Sequence, residues 1–306
     1  MCSRFFILPL SSLLIVCYCT GPLYTEAMFN TTPYSLIFNR FLDQWMQHIG
    51  YRLLLCAALI FSINAKAGDS LQIAAASSLA APLTDIGQDF YNQTGQEVRF
   101  TFASSSTLAR QIRQGAPFSL FLSASPQWLT YAQQNDSKQN KDPQPPITFA
   151  SNRLVAATGA PNQAPQPWST EQLKAELYKA RIVALADPNA VPLGQYSQEA
   201  LSQLGLWPNT QVKWAFSRSA RANLALLTSG AAPIALLYQS DVNHLKTHIA
   251  YTFSPTSHST IRYQAWATPY STTRGKTNEA KAFIEYLLSP MAQKVFLDQG
   301  FAAAPN

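Results

Sequence analysis

The chain has 306 residues, of which 47% are hydrophobic and 12% charged, so it can bury a large core in one or two domains and is not a disordered protein. Its formal net charge of +6 does not indicate nucleic-acid binding, because residues 68–306 hold 18 of the 22 basic and 14 of the 16 acidic residues and contain no basic cluster. All four cysteines precede residue 67, so the rest of the chain has no disulfide, no thiolate zinc site and no cysteine nucleophile.

The first 67 residues are interpreted as a leader that is removed on export. Arg52, the apolar run over 53–63 and the small-x-small motif Ala65-Lys66-Ala67 stand in the order of a secretory signal peptide. A membrane anchor is the alternative, but this run is shorter than the roughly 20 residues needed to span a bilayer. The sequence therefore predicts export to the periplasm.

The start of this leader has two interpretations. Either Met46 is the true start, so that 46–67 is the signal peptide and 1–45 results from a mis-set start, or the whole of 1–67 is an unusually long leader. We favour the first interpretation, because no small-x-small motif follows the earlier apolar run over 5–19. In both cases the mature chain is expected to begin near Gly68.

From Gly68 onward, short apolar runs alternate with amphipathic stretches, which is typical of an α/β fold with mainly parallel sheets. The first part predicts strands over 71–76, 98–103 and 118–123, helices over 79–93, 107–114 and 126–134, and a polar loop over 135–146. The pattern then restarts, with strands over 153–157, 181–185, 212–215 and 234–238 and helices over 169–177, 194–205 and 220–228. Strands over 249–253 and 261–267 and two helices over 276–300, broken at Pro290, follow.

This repetition predicts two lobes that face a cleft. The first lobe is expected to comprise 68–150 together with about 266–306. The second is expected to comprise about 151–265.

Serine clusters follow the first two predicted strands, at Ser77-Ser78 and at Ser104-Ser105-Ser106. The first turn of a helix has free N–H groups and a partial positive charge, so a serine there can help to bind an anion. Ligands of open α/β sheets also bind at the carboxyl ends of strands. Serine caps many helices without any ligand, however, so these clusters are compatible with plain caps as well as with an anion site.

Four segments of the mature chain carry a family resemblance. They are IAAASSLAAPLTDIGQDF, FTFASSSTLARQIRQGAPFSLFLSAS, ADPNAVPLGQYSQEAL and APIALLYQSD. In this order and spacing they resemble the periplasmic molybdate-binding proteins of ABC-type molybdate importers, from Leu71 to Phe301. The resemblance implies the two-lobed fold of type II periplasmic solute-binding proteins, capture of molybdate or tungstate, delivery to an inner-membrane ABC permease, and no enzymatic activity or cofactor.

The resemblance also implies a ligand set. In that family two serines of the first lobe hold the anion together with two backbone N–H groups and a tyrosine hydroxyl of the second lobe. The serines correspond to Ser78 and Ser105, and Ser77 is an alternative to Ser78 because that serine is doubled. The N–H groups correspond to Leu193 and, by a looser match, to Ala220, and the hydroxyl corresponds to Tyr238.

Such a site consists only of donors, and this composition suits molybdate, tungstate and sulfate, which are fully ionised near neutral pH. Phosphate retains a proton and would require an acceptor. No bare metal ion is expected, since His244 and His248 have helical i, i+4 spacing without an accompanying glutamate motif. The protein is expected to be a monomer.

Three alternatives stay open at this point. One is a receptor for sulfate or another small anion, and a second is a membrane-anchored interaction protein that retains residues 1–67. A third, of a different class, is a serine hydrolase that uses Ser78 or Ser105. The mature chain lacks both the G-x-S-x-G motif and the S-x-x-K and K-T-G pair of such enzymes, and no histidine is placed as an evident base.

Overall fold

The computed structural model describes residues 70–134, 145–159, 166–243 and 247–305. The predicted leader, most of the loop predicted over 135–146, and His244 lie outside these residues. Strands and helices alternate along most of the described chain. The strands are β1 (Leu71–Ala76), β2 (Val98–Ala103), β3 (Leu120–Ser123), β4 (Ile147–Ser151), β5 (Leu154–Gly159), β6 (Val183–Ala186), β7 (Trp214–Ser217), β8 (Ile234–Tyr238), β9 (Thr247–Thr252) and β10 (Arg262–Ala267).

The described helices begin where the local sequence favours a helix start. Proline occupies the first turn of several of them, where its missing N–H has no partner to lose, and Ser169 forms a reciprocal capping box with Gln172. Single 3-10 turns lie at Ser77–Leu79 and Pro255–Ser257. The helices are α1 (Ala80–Thr94), α2 (Ser105–Arg113), α3 (Pro126–Gln133), α4 (Thr170–Lys179), α5 (Pro192–Gln203), α6 (Ala220–Thr228), α7 (Gln239–Val242), α8 (Pro269–Thr273), α9 (Thr277–Leu287) and α10 (Pro290–Asp298).

The strands form two five-stranded sheets with the same plan. The first has the order β2-β1-β3-β10-β4, with β1 parallel to β2 and β3, and β10 antiparallel to β3 and β4. The second has the order β7-β6-β8-β5-β9, with β6 parallel to β7 and β8, and β5 antiparallel to β8 and β9. These two sheets with their flanking helices, called here the first and second lobes, confirm the two-lobed α/β fold.

The central strands are buried along their whole length. Every residue of β3, β6 and β8 is inaccessible or nearly so, as expected for strands that are covered by helices on both faces. A second, smaller apolar cluster surrounds Trp266 in the first lobe. Among the described residues, no helix is long and apolar enough to cross a membrane.

Strand β4 lies where no strand is predicted, since only its last three residues are buried and its apolar signal is correspondingly short. Each sheet is mainly parallel, as predicted, because four of its five strands run in one direction and only β10 or β5 runs against them. The chain crosses to the second lobe after β4 and returns to the first before β10.

Candidate functional site

The six ligand residues proposed from the sequence all line one small cavity between the lobes. They are buried and come from five separate parts of the chain: Ser77, Ser78, Ser105, Leu193, Ala220 and Tyr238. The cavity has an empty volume of about 200 Å³, including its open mouth. Its lining residues are Ala76, Ser77, Ser78, Ala103, Ser104, Ser105, Ala124, Val191, Pro192, Leu193, Ala220 and Tyr238.

Ser104 and Ser105 of the second serine cluster have different hydrogen-bond partners. Ser104 is the N-cap of α2, and its Oγ accepts from the Thr107 N–H at 3.2 Å. Ser105 does not cap the helix, because its Oγ accepts instead from the N–H of Ala124 at 3.0 Å, just after β3. A serine hydroxyl that accepts this bond still has its own hydrogen to donate, and the cavity lies beside it.

The first cluster does no capping at all. Neither the 3-10 turn at Ser77–Leu79 nor α1 has a side-chain cap, so Ser77 and Ser78 are not explained by helix starts. The Ser78 Oγ lies 3.1 Å from the hydroxyl of Tyr263 on β10. Ser77 lines the same cavity and is equally buried, so the choice between the two serines stays a prediction.

Leu193 and Ala220 stand in the first turns of α5 and α6, where backbone N–H groups have no partner within the helix. The start of α5 approaches β6 very closely. A Cβ at Gly194 would lie 2.2 Å from the carbonyl oxygen of Ala186, so only glycine fits there. Leu193 and Ala220 both line the cavity, and Ser219 caps α6 by accepting from the Ala222 N–H at 3.1 Å.

Tyr238 ends β8 at the cavity wall, and only 1% of its surface is exposed. Within the described part of the chain its hydroxyl has no hydrogen-bond partner. A buried hydroxyl without a partner is unfavourable, so this group indicates a place for an external acceptor. Burial raises the pKa of Tyr238 well above its ordinary value, so the hydroxyl keeps its hydrogen.

A larger cavity adjoins the first at Ser77 and Ser78. Its empty volume is about 910 Å³, and both Arg221 and Asp241 line it. Asp241 lies on α7 and accepts from the Tyr238 N–H at 3.3 Å. Burial raises the pKa of this carboxyl to about 7. In the described residues, no group of three or more histidine, cysteine or acidic side chains could hold a metal ion.

Sequence reasoning missed three residues that support the donors. They are Ala124, Asn152 and Tyr263, which contact the predicted serines or each other. Tyr263 is 185 residues from Ser78, so no local pattern could connect them. Ala124 contributes only main-chain groups, so the identity of its side chain gives no indication of this role.

Three comparisons with known proteins show which proteins the chain is similar to. The profile described as bacterial extracellular solute-binding protein matches residues 71–302. The chain is 36% identical to the molybdate-binding protein ModA of Escherichia coli (strain K12) over 253 residues, which are 80% of this chain and 95% of that protein. It is 33% identical to ModA of Haemophilus influenzae (strain ATCC 51907 / DSM 11121 / KW20 / Rd) over 258 residues, which are 82% and 96% of the two chains. The solved structure of the Azotobacter vinelandii periplasmic molybdate-binding protein superposes with a TM-score of 0.66 at 20% identity, covering 77% of this chain and all of that one, and this shows a shared fold.

Proposed function

Because the chain belongs to the family of bacterial extracellular solute-binding proteins, we propose that it captures molybdate or tungstate in the periplasm and delivers the anion to an ABC importer in the inner membrane. The chain is a solute-binding protein and not an enzyme, so the serine hydrolase considered from the sequence is set aside. An importer of this kind implies a membrane permease as the partner and a small anion as the ligand.

The residues that line the small cavity are the observation that supports this choice of ligand. The cavity is lined by Ser78, Ser105 and Tyr238, whose hydroxyls can donate, and by Leu193 and Ala220, whose N–H groups stand in first helical turns. None of the described residues that line this cavity is acidic. A site made of donors suits an oxyanion without protons, whereas a protonated anion such as hydrogen phosphate would leave its hydrogen without an acceptor.

Hydrogen bonds to a charged group contribute about 1.5–3 kcal/mol each, so five of them contribute about 7.5–15 kcal/mol. Micromolar affinity requires roughly 8 kcal/mol, which lies near the lower end of this range. The neutral hydroxyls and the two helix dipoles supply this without an arginine in contact with the anion.

The donors come from both lobes, so the bound anion bridges them and favours the closed state. We propose that the second lobe begins after β4 and that the chain returns to the first lobe before Arg262, because β10 pairs with β3 and β4. This return point is a few residues earlier than the boundary near 266 that the sequence suggests. The protein is further proposed to be a monomer that binds no nucleic acid and is exported by the signal peptide ending at Ala67.

Titration calorimetry of the mature chain with molybdate, tungstate, sulfate and phosphate tests this function. We expect molybdate and tungstate to bind tightly, sulfate weakly and phosphate most weakly of the four. Equal affinity for sulfate and molybdate would favour the alternative receptor for sulfate or another small anion. Binding of none of the four anions would contradict the proposal.

A further inference from the structure

We propose that Asn152 and Tyr263 are positioning residues that hold the Ser78 hydroxyl as an obligatory donor to the bound anion. This inference rests on the proposed function and adds to it a reason for the selection of unprotonated oxyanions. Neither residue lines the small cavity, and both are buried behind it. Hydrogen bonds connect the main chain through Asn152 and Tyr263 to Ser78 at the cavity.

The first step fixes the side chain of Asn152. Its Oδ1 accepts from the backbone N–H of Arg153 at 2.9 Å and from that of Ser240 at 3.4 Å. A backbone N–H can only donate, so the oxygen of the amide must face these two groups. The amide nitrogen therefore faces the other way, and it donates to the Ser240 Oγ at 2.8 Å and to the Tyr263 Oη at 3.3 Å.

The second step fixes the hydrogen of Tyr263. The Tyr263 oxygen accepts from Asn152, and its own hydrogen needs an acceptor because the side chain is fully buried. Ser78 Oγ, 3.1 Å away, is the remaining partner described for this hydroxyl. Burial raises the pKa of Tyr263, so the phenol stays protonated across the accessible pH range.

The hydrogen of the Ser78 hydroxyl is left for an acceptor other than Tyr263. Its Oγ accepts from Tyr263, so its single hydrogen must go to another acceptor, and Ser78 lines the cavity. The chain of donors from Asn152 through Tyr263 to Ser78 thus ends on the anion. A ligand that presents a hydrogen here meets a second hydrogen, which disfavours protonated oxyanions.

The backbone around Tyr263 supports a specific role. The pairing of β10 with β4 changes register between Tyr263 and Gln264, and such irregularities re-aim side chains and occur often beside functional sites. Asn152 lies in the crossing between the lobes and contacts Ser240 of the second lobe and Tyr263 of the first. The same two residues therefore connect the orientation of Ser78 to the arrangement of the lobes.

A double-mutant cycle with Tyr263→Phe and Ser78→Ala, measured by calorimetry with molybdate, tests the proposal. Tyr263→Phe should weaken binding about tenfold in the parent and less than about twofold in the Ser78→Ala background, because its effect passes through Ser78. Tyr286→Phe, on the outer helix α9, is the matched control and should bind like the parent. An equal penalty for Tyr263→Phe in both backgrounds, or none in the parent, overturns the inference alone.

A second variant gives a readout that general loosening of the site would not move. In Asn152→Asp the carboxylate accepts the Tyr263 hydrogen, which reverses the chain and lets Ser78 accept from the ligand. The ratio of molybdate to hydrogen phosphate affinity should then fall at least about tenfold, while an unchanged ratio overturns the inference. If the parent binds neither molybdate nor tungstate, the proposed function fails, and this inference with it.

Discussion

Tyr196 on α5 of the second lobe donates its hydroxyl hydrogen to the carbonyl oxygen of Ala124 in the first lobe, at 3.2 Å. The N–H of the same Ala124 donates to the Ser105 Oγ at 3.0 Å. One peptide segment therefore both orients a proposed ligand donor and receives a bond from the opposite lobe. Opening of the cleft would break the hydrogen bond from Tyr196 to Ala124, which joins the two lobes, so Tyr196 favours the closed arrangement.

Tyr196→Phe should weaken molybdate binding by about threefold to tenfold, because a neutral hydrogen bond contributes about 0.5–1.5 kcal/mol to the closed state. Calorimetry measures the affinity, and small-angle scattering of the free protein should show a more open average shape than the parent. Parent-like affinity and shape would mean that this bond does not bias closure.

Ser105→Ala should weaken molybdate binding tenfold to a hundredfold, since it removes a donor to a charged group worth about 1.5–3 kcal/mol. Ser202→Ala is the matched control, because this serine lies on the exposed side of α5 and bonds only its own helix. Calorimetry of both variants decides the point. Equal affinities would remove Ser105 from the ligand set.

Tyr238→Phe should change affinity and stability in opposite directions. Binding should weaken by about tenfold or more, while the free protein should become more stable by about 1 kcal/mol, because a buried hydroxyl without a partner is removed. The measurements are calorimetric affinity and the melting temperature without ligand. A lower melting temperature together with unchanged affinity would make Tyr238 an ordinary core residue.

Asp241 should make stability depend on pH. Burial raises its pKa from 3.8 to about 7, so the folded state favours the protonated carboxyl and its contribution to stability is lost as the pH rises from about 4 to 7. Asp241→Asn keeps an acceptor for the Tyr238 N–H and carries no charge. Its melting temperature should match that of the parent at pH 4 and exceed it increasingly up to pH 7. A constant difference across this range would contradict the assignment.

Gly194→Ala should destabilise the fold by about 3 kcal/mol or more, because the added methyl would collide with the Ala186 carbonyl and push the start of α5 away from β6. Gly159→Ala is the control, since a methyl there meets nothing within 4 Å. Chemical denaturation of both variants measures the difference. Similar stabilities would mean that α5 can shift without loss.

Much of the fold could be predicted because its signals are local. The bounds predicted for β1, β2, β8 and α6 agree with the structure. Strands β1 and β8 are apolar runs, β2 alternates apolar and polar residues, α6 is amphipathic, and a serine or glutamine follows each element. Helix α2 begins two residues earlier than predicted, because Ser104 rather than Ser106 is its cap. These short-range rules place element ends to within a few residues.

The supporting layer of the site could not be predicted in this way. The pairing of β10 with β3 joins residues far apart in the chain, and it is this pairing that carries Tyr263 to Ser78. Asn152 lies between two short strands, and nothing in the local sequence pattern indicates its four hydrogen bonds. Such contacts depend on the packing of whole elements, which a reading of local patterns does not contain.

The starts of α5 and α6 have an evolutionary consequence. The groups that they offer to the cavity belong to the main chain, so replacing the side chains of Leu193 or Ala220 leaves the donors in place. Selection then acts on where each helix starts rather than on which residue starts it. A substitution at either position therefore keeps the donor as long as the new side chain still packs in the core, whereas Gly194, which does not line the small cavity, has no room for any side chain.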